Sequence, residues 1–206
     1  MASDYRKSEL GLPAWEIAIL FPNQGEWSEH EYLQLETARL IEFADGIVEV
    51  LPMPTELHQA IAFFLCLQLK QFAEPQELGV AYLAPLRMRL WEAKYREPDV
   101  MFMLAEHRSR RTAKFWNGAD LVMEVISEDD PQRDLIAKRE EYAQAGVGEY
   151  WIVDPRDRSI LVLHLDPQQA SYVEVGRYTA GQAAQGRLLA GFAVDVQQVF
   201  HRPETL

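Results

Sequence analysis

ADLVMEVISEDDPQRDLIAKREEYAQAGVGEYWIVDP, residues 119–155, reads as strand, turn, helix, turn, strand. In its first apolar run, Leu121–Ile126, every residue but Glu124 is apolar and several are β-branched, which suits a strand buried on both faces. A carboxylate inside such a run costs several kcal/mol unless it is paired or binds a metal, so Glu124 needs a reason to be there. The next segment carries helix punctuation: Asp129 or Asp130 can cap, Pro131 suits the first helical position, and Gly146 stops the helix. Leu135, Tyr142 and Ala145 fall at helical spacing and define a buried stripe. Lys138, three residues after Leu135 and four before Tyr142, lies on or beside it. A lysine there can aim its ammonium at the end of the preceding strand. The second strand, Glu149–Asp154, is closed by Asp-Pro, and a unit of this length predicts a crossover between parallel strands.

The 206 residues suit a single domain, with residues 1–25, which hold Pro13, Pro22 and Gly25, as a loosely packed arm. Trp15, Ile17 and Ile19 alternate within that arm, so part of it is expected to pack on the domain or on a partner subunit. The net charge of −12 weighs against a protein that grips nucleic acid through a broad basic surface. One cysteine, Cys66, excludes an intrachain disulfide and fits a reducing compartment. It sits in the apolar run AIAFFLCLQL, where an inert buried thiol is expected. No apolar run is long enough to cross a bilayer and the N-terminus lacks a signal-peptide pattern, so a soluble, cytoplasmic protein with no membrane partner is expected.

Along the rest of the chain, Ser28 with Glu31 has capping-box spacing and opens a short helix. Asp45-Gly46 joins two apolar-bearing runs within Ile41–Val50, a hairpin signal. Thr55 caps a helix from about Glu56 to Phe72. In Val80–Trp91, Leu86, Met88 and Leu90 alternate with Arg87 and Arg89, which predicts one wet face. Pro98 precedes a strand over Asp99–Leu104. His107, Arg108, Arg110, Arg111 and Lys114 form a basic run after it, expected either as a solvated loop or as a small positive lip beside the acids. Ile160–Leu165 and Tyr172–Val175 continue the sheet antiparallel, and Val194–Phe200 closes the chain.

Asp99, Glu124 and Lys138 make a candidate constellation. Magnesium and similar ions are held by one or two carboxylates plus water and substrate phosphate, and such an ion lowers the pKa of a bound water. If the two acidic strands adjoin, Asp99 and Glu124 can share that ion, and a nearby ammonium can steady charge growing in the transition state. Taken singly, each has a plainer explanation: turn chemistry for Asp99, a paired structural acid for Glu124, a solvated helix lysine for Lys138. A hydrolase using Ser127 or Cys66 as nucleophile has little support, since neither has a neighbouring histidine and no nucleophile elbow is present.

These pieces resemble the Uma-two family of restriction-endonuclease-like proteins, within the PD-(D/E)xK nuclease superfamily. The matching stretches are IEFADGIVEVLPMPTELHQAI, EPDVMFM and the segment quoted above, in the family's order. The resemblance implies an α/β, restriction-endonuclease-like core, a central mixed sheet flanked by helices. It further implies a magnesium or manganese ion at Asp99 and Glu124 and a nucleic-acid partner, DNA before RNA, cut at phosphodiester bonds. The superfamily's lysine would stand at Ile126, a departure. In this family it has moved to the following helix, which lands on Lys138. His58 matches a histidine the family shows near the start of the long helix. It is a site-lining candidate, although a lone histidine is more often a packed or capping residue. Glu42 and Glu49 are the two candidates for a further acid, and the sequence does not choose between them. A homodimer would set two basic lips along one duplex. The competing reading is a non-catalytic binding or assembly module that keeps the fold, its acids paired with Arg87, Arg89 or Lys138.

Overall fold

The chain is described by a computed structural model over residues 20–37, 39–127 and 133–201. The alternating stretch at Trp15–Ile19 and the capping candidates Asp129, Asp130 and Pro131 lie outside the described residues. The end of the N-terminal segment is tied to the first hairpin: Gln24 exchanges hydrogen bonds with Val48 and the Gly25 N–H donates to Gly46 O at 2.8 Å.

In chain order, helix α1 (Glu29–Gln34) has the expected capping box between Ser28 and Glu31. Strands β1 (Ile41–Ala44) and β2 (Ile47–Val50) form the hairpin. Both of its turn residues are left-handed, Asp45 at φ 49° and Gly46 at φ 83°, as a two-residue hairpin turn requires. Thr55 caps α2 (Glu56–Ala73) by accepting from the His58 N–H. There follow β3 (Gly79–Leu83), β4 (Arg87–Trp91), β5 (Lys94–Arg96) and β6 (Val100–Leu104). A short 3-10 segment, Ala105–Arg110, leads to β7 (Phe115–Asn117) and β8 (Leu121–Val125). A π-helical turn, Arg133–Ala137, runs into α3 (Lys138–Gln144), and Gly146 takes φ 76° at its end. The remainder is β9 (Glu149–Asp154), β10 (Ser159–Asp166), β11 (Ser171–Tyr178), β12 (Ala183–Gln185), β13 (Ala193–Asp195) and α4 (Val196–Val199).

A six-stranded sheet runs β11-β10-β9-β8-β6-β3, with β8 and β9 parallel and its other pairs antiparallel. It is mixed, and it is covered on both faces. Leu121, Met123 and Val125 of β8 point into the core beneath α2, while Val122 points into the core shared with Tyr142 and Ala143 of α3. By the strand's two-residue period, Glu124 belongs to the α3 side with Val122 and Ile126. A second sheet, β2-β1-β5-β4-β7, packs Phe43 and Tyr95 around Tyr32 of α1.

The stretch Val80–Trp91 does not make one half-wet strand. It splits between the two sheets, and Arg87 and Arg89 are drawn in by partners: Arg87 lies over the Tyr32 ring and pairs with Glu97, and Arg89 pairs with Glu29. Among the described residues no helix is long and apolar enough to cross a membrane.

Candidate active site

β6 and β8 are antiparallel with Val100 opposite Met123, so one further step of that register sets Asp99 opposite Glu124. The contacts agree: Asp99 Oδ2 accepts the Val125 N–H at 2.8 Å, and the Asp99 N–H approaches Glu124 Oε2 at 3.4 Å. Lys138, on the first turn of α3, brings Nζ to 3.0 Å from Glu124 Oε1. Tyr142, one turn further along the same stripe, donates its hydroxyl to that oxygen at 2.5 Å. His58, at the third position of α2, reaches Asp99 Oδ2 with Nε2 at 3.1 Å. Four elements thus deliver the four side chains singled out in the sequence to one place.

The place is open to solvent. A cleft of about 220 Å³ is lined by His58, Asp99, Glu124 and Lys138, together with Glu97, Ser127, Arg133 and Arg156. It lies off the carboxyl ends of the parallel strands β8 and β9, where open α/β sheets commonly bind ligands. The burial is graded: Glu124 and Lys138 side chains are 2% and 7% exposed, whereas Asp99 and His58 keep 12% and 18%. The acid and lysine form the floor, and the aspartate and histidine form the rim.

Burial alone would depress the His58 imidazole, but the hydrogen bond and charge of Asp99, with the charge of Glu124, outweigh it and raise its pKa. Glu97, which precedes Pro98-Asp99, is pushed up to about 7 by burial, against the Ile41 N–H and Arg87 that favour its charged form. Its only sequence signal is adjacency to Pro98-Asp99, and sequence reasoning passed over it. Arg133 and Arg156 were also missed, since neither lies in an apolar run that would make it conspicuous. Tyr142 was recognised as a core residue but not as a donor to Glu124.

The position two residues after Glu124 explains why the lysine is elsewhere. Ile126 is 3% exposed and packs in the core beneath α3, so that site is filled by hydrocarbon. Glu42 and Glu49 are opposite each other in the hairpin and are joined by Arg133, which pairs with both. Glu42 also pairs with Arg96 and is 1% exposed. Neither glutamate lines the cleft. The basic run is not beside the acids: the 3-10 segment leaves the carboxyl end of β6, whereas Asp99 enters at its amino end. Arg108, Arg110, Arg111 and Lys114 are exposed and His107 is half-buried, and His107 and Arg110 turn back onto Asp120. Cys66 is buried in α2, with its thiol pKa raised by burial.

The donor set has a definite chemical character. Lys138 and Tyr142 both sit on Oε1 of Glu124, and the Val125 N–H and His58 both sit on Oδ2 of Asp99. Oδ1 of Asp99 takes no hydrogen bond among the described residues. Two carboxylates at a wet cleft fit a hard cation that keeps part of its water shell. Among the described residues no group of three or more His, Cys, Asp or Glu forms a ready-made cage.

A mixed sheet with these flanking helices is a nuclease-type fold. It matches a crystal structure described as a "putative nuclease belonging to DUF820" from Anabaena variabilis, at a TM-score of 0.64 and 20% identity, over 84% of this chain and 97% of that one. Comparison with curated proteins finds no match. Residues 27–197 match the Uma2 family, described as "Putative restriction endonuclease", and the chain belongs to that family.

Proposed function

We infer that the chain hydrolyses phosphodiester bonds of nucleic acid, DNA in the first instance, at the cleft between Asp99, Glu124 and Lys138. What supports this is the meeting of two carboxylates, an ammonium and an imidazole from four separate elements at one open mouth, in a chain of this family. Asp99 and Glu124 would hold magnesium or manganese, which when bound supplies an activated water and a counter-charge for the phosphoryl oxygens. Lys138, held against Glu124, offers a fixed positive charge near the place where negative charge develops. Tyr142 orients the Glu124 carboxylate from below. His58, fixed by Asp99, sits at the rim, where it can meet the substrate or the departing group.

The test is cleavage of single- and double-stranded DNA and RNA with manganese and with chelator, for wild type, Glu124→Gln and Lys138→Ala. Metal-dependent cleavage lost in Glu124→Gln is expected. Lys138→Ala should lose cleavage while keeping metal affinity by calorimetry, because an ammonium is not a ligand. Cleavage by Lys138→Ala at the wild-type rate would remove Lys138 from the mechanism.

One observation favours the alternative, a binding module that retains the fold: Glu124 is already engaged by Lys138 and Tyr142, as a structural ion pair would be. Calorimetry separates the two. Binding of manganese abolished by Asp99→Ala supports the metal site, and heat-silent titration of wild type supports the module.

A further inference from the structure

A second groove, of about 580 Å³, opens beside the cleft between the start of α2 and the end of β3. The two are continuous, sharing Leu40, Met53, Pro54, His58 and Asp99. Its walls beyond that junction are mostly apolar, with Phe63 on the helix side facing Leu83 and Pro85. Phe63 is 60% exposed. It is one member of a stripe: Gln59, Phe63, Leu67 and Lys70 recur on one face of α2 at helical spacing, and Leu67 too is exposed. The stripe ends where Lys70 stands over the ring of Tyr82, 5.4 Å from its centroid. Arg111 approaches the same ring at 5.8 Å and that of Trp116 at 5.4 Å. Lys70 pairs with Glu74, but Arg108 and Arg111 have no carboxylate partner among the described residues. From His58 to Lys70 the helix rises roughly 18 Å at 1.5 Å per residue. A surface therefore runs from the acids, past exposed rings, to the basic segment at the far end of β6.

We propose that this surface seats an unpaired strand of nucleic acid, with bases against Phe63 and Tyr82 and the backbone led towards Arg108 and Arg111. The substrate class is then single-stranded or locally unpaired nucleic acid; the cleavage part of this statement rests on the function proposed above. Aromatic rings flanked by cations are how single strands are bound without sequence readout. A duplex keeps its bases stacked inside and cannot offer them to Phe63. Overall charge points the same way. A duplex binder needs many cations along the phosphates, and a chain of net charge −12 supplies few. Stacking does not depend on that supply.

The test is fluorescence anisotropy of the full chain with a labelled oligonucleotide, as a single strand and as the matching duplex, in chelator so that nothing is cut. Wild type should prefer the single strand. Phe63→Ala should weaken single-strand binding about tenfold, the loss of one stacked base, with Phe63→Tyr near wild type. Arg108→Gln with Arg111→Gln should weaken it further and flatten its salt dependence. Because Phe63 is exposed, its variants should keep the wild-type melting temperature. Equal affinity for duplex and single strand, or no change in Phe63→Ala, overturns the proposal. So does a fall from dimer to monomer in Phe63→Ala by light scattering, which would make the groove an interface between copies. Binding in chelator reads this surface, and cleavage with manganese reads the nuclease function. A chain that binds single strands through Phe63 but cuts nothing keeps the first and loses the second. One that cuts duplex with Phe63→Ala unaffected does the reverse.

Discussion

Glu124→Ala is the obvious way to disable the proposed site, and its main effect should be on stability. The Glu124 and Lys138 side chains are 2% and 7% exposed and lie 3.0 Å apart, so solvent screens neither charge well. Removing one partner of such a pair takes the closest counter-charge from the other in a poor dielectric, which costs about 3–5 kcal/mol. The Tyr142 hydroxyl also loses its acceptor, within the same range because the effects share a site. For a chain of this size that corresponds to a fall in melting temperature of about 6–20 °C. Glu124→Gln keeps an oxygen for Tyr142 and should lose less. The decisive assay is a urea double-mutant cycle on Glu124→Leu and Lys138→Met. Each single variant should be clearly destabilised, while the double variant, which buries neither charge, should recover most of the loss. Additive losses, or a Glu124→Ala variant within about 1 kcal/mol of wild type, would refute the buried-pair argument and leave Glu124 better solvated than its surroundings imply.

Other predictions address the frame around the site. A Cβ on Gly79 would stand 2.2 Å from the Met103 carbonyl oxygen, so Gly79→Ala should cost about 1–3 kcal/mol by urea unfolding while leaving metal affinity unchanged. Thr55→Ala removes the cap on the His58 N–H and should cost about 1 kcal/mol, read as a lower urea midpoint. Burial alone would raise the Glu42 carboxyl, but Lys138, Arg96 and Arg133 outweigh it. For Glu141, hydrogen bonds from Arg96 and Lys94 outweigh burial in the same way, so both carboxyls fall below their usual 4.5. A depressed carboxyl stabilises the fold fully above its unfolded pKa and loses that contribution as pH falls through the folded value. The contribution of these two carboxyls should therefore hold above about pH 5 and be lost below it, so that between about pH 5 and pH 3 the urea midpoint drops, less steeply in Glu141→Gln. A midpoint that stays level to about pH 3 would contradict this.

Local chemistry made much of this molecule legible in one dimension. The Asp45-Gly46 turn, the Thr55 cap, the largely apolar run of β8 and the Gly146 stop each depend on a few neighbouring residues, and each is found where its signal lies. Glu124 stood out for the same reason, as one charge inside an apolar run, and helical spacing was enough to set Lys138 on the buried stripe. Pairing across the fold was not legible. Arg87 and Arg89 alternate with apolar residues as solvated side chains do, yet Glu97 and Glu29 come from distant segments to meet them. The basic run follows the Asp99 strand in sequence, but a strand separates its two ends in space, and order along the chain says nothing about which end faces the acids. Glu97 carries no signal beyond its place before Pro98-Asp99; its raised pKa arises from burial in the folded chain. Periodicity and capping depend on spacing along one segment and can be read from it. Desolvation and charge pairing depend on what the rest of the fold brings near, and only the folded chain determines that.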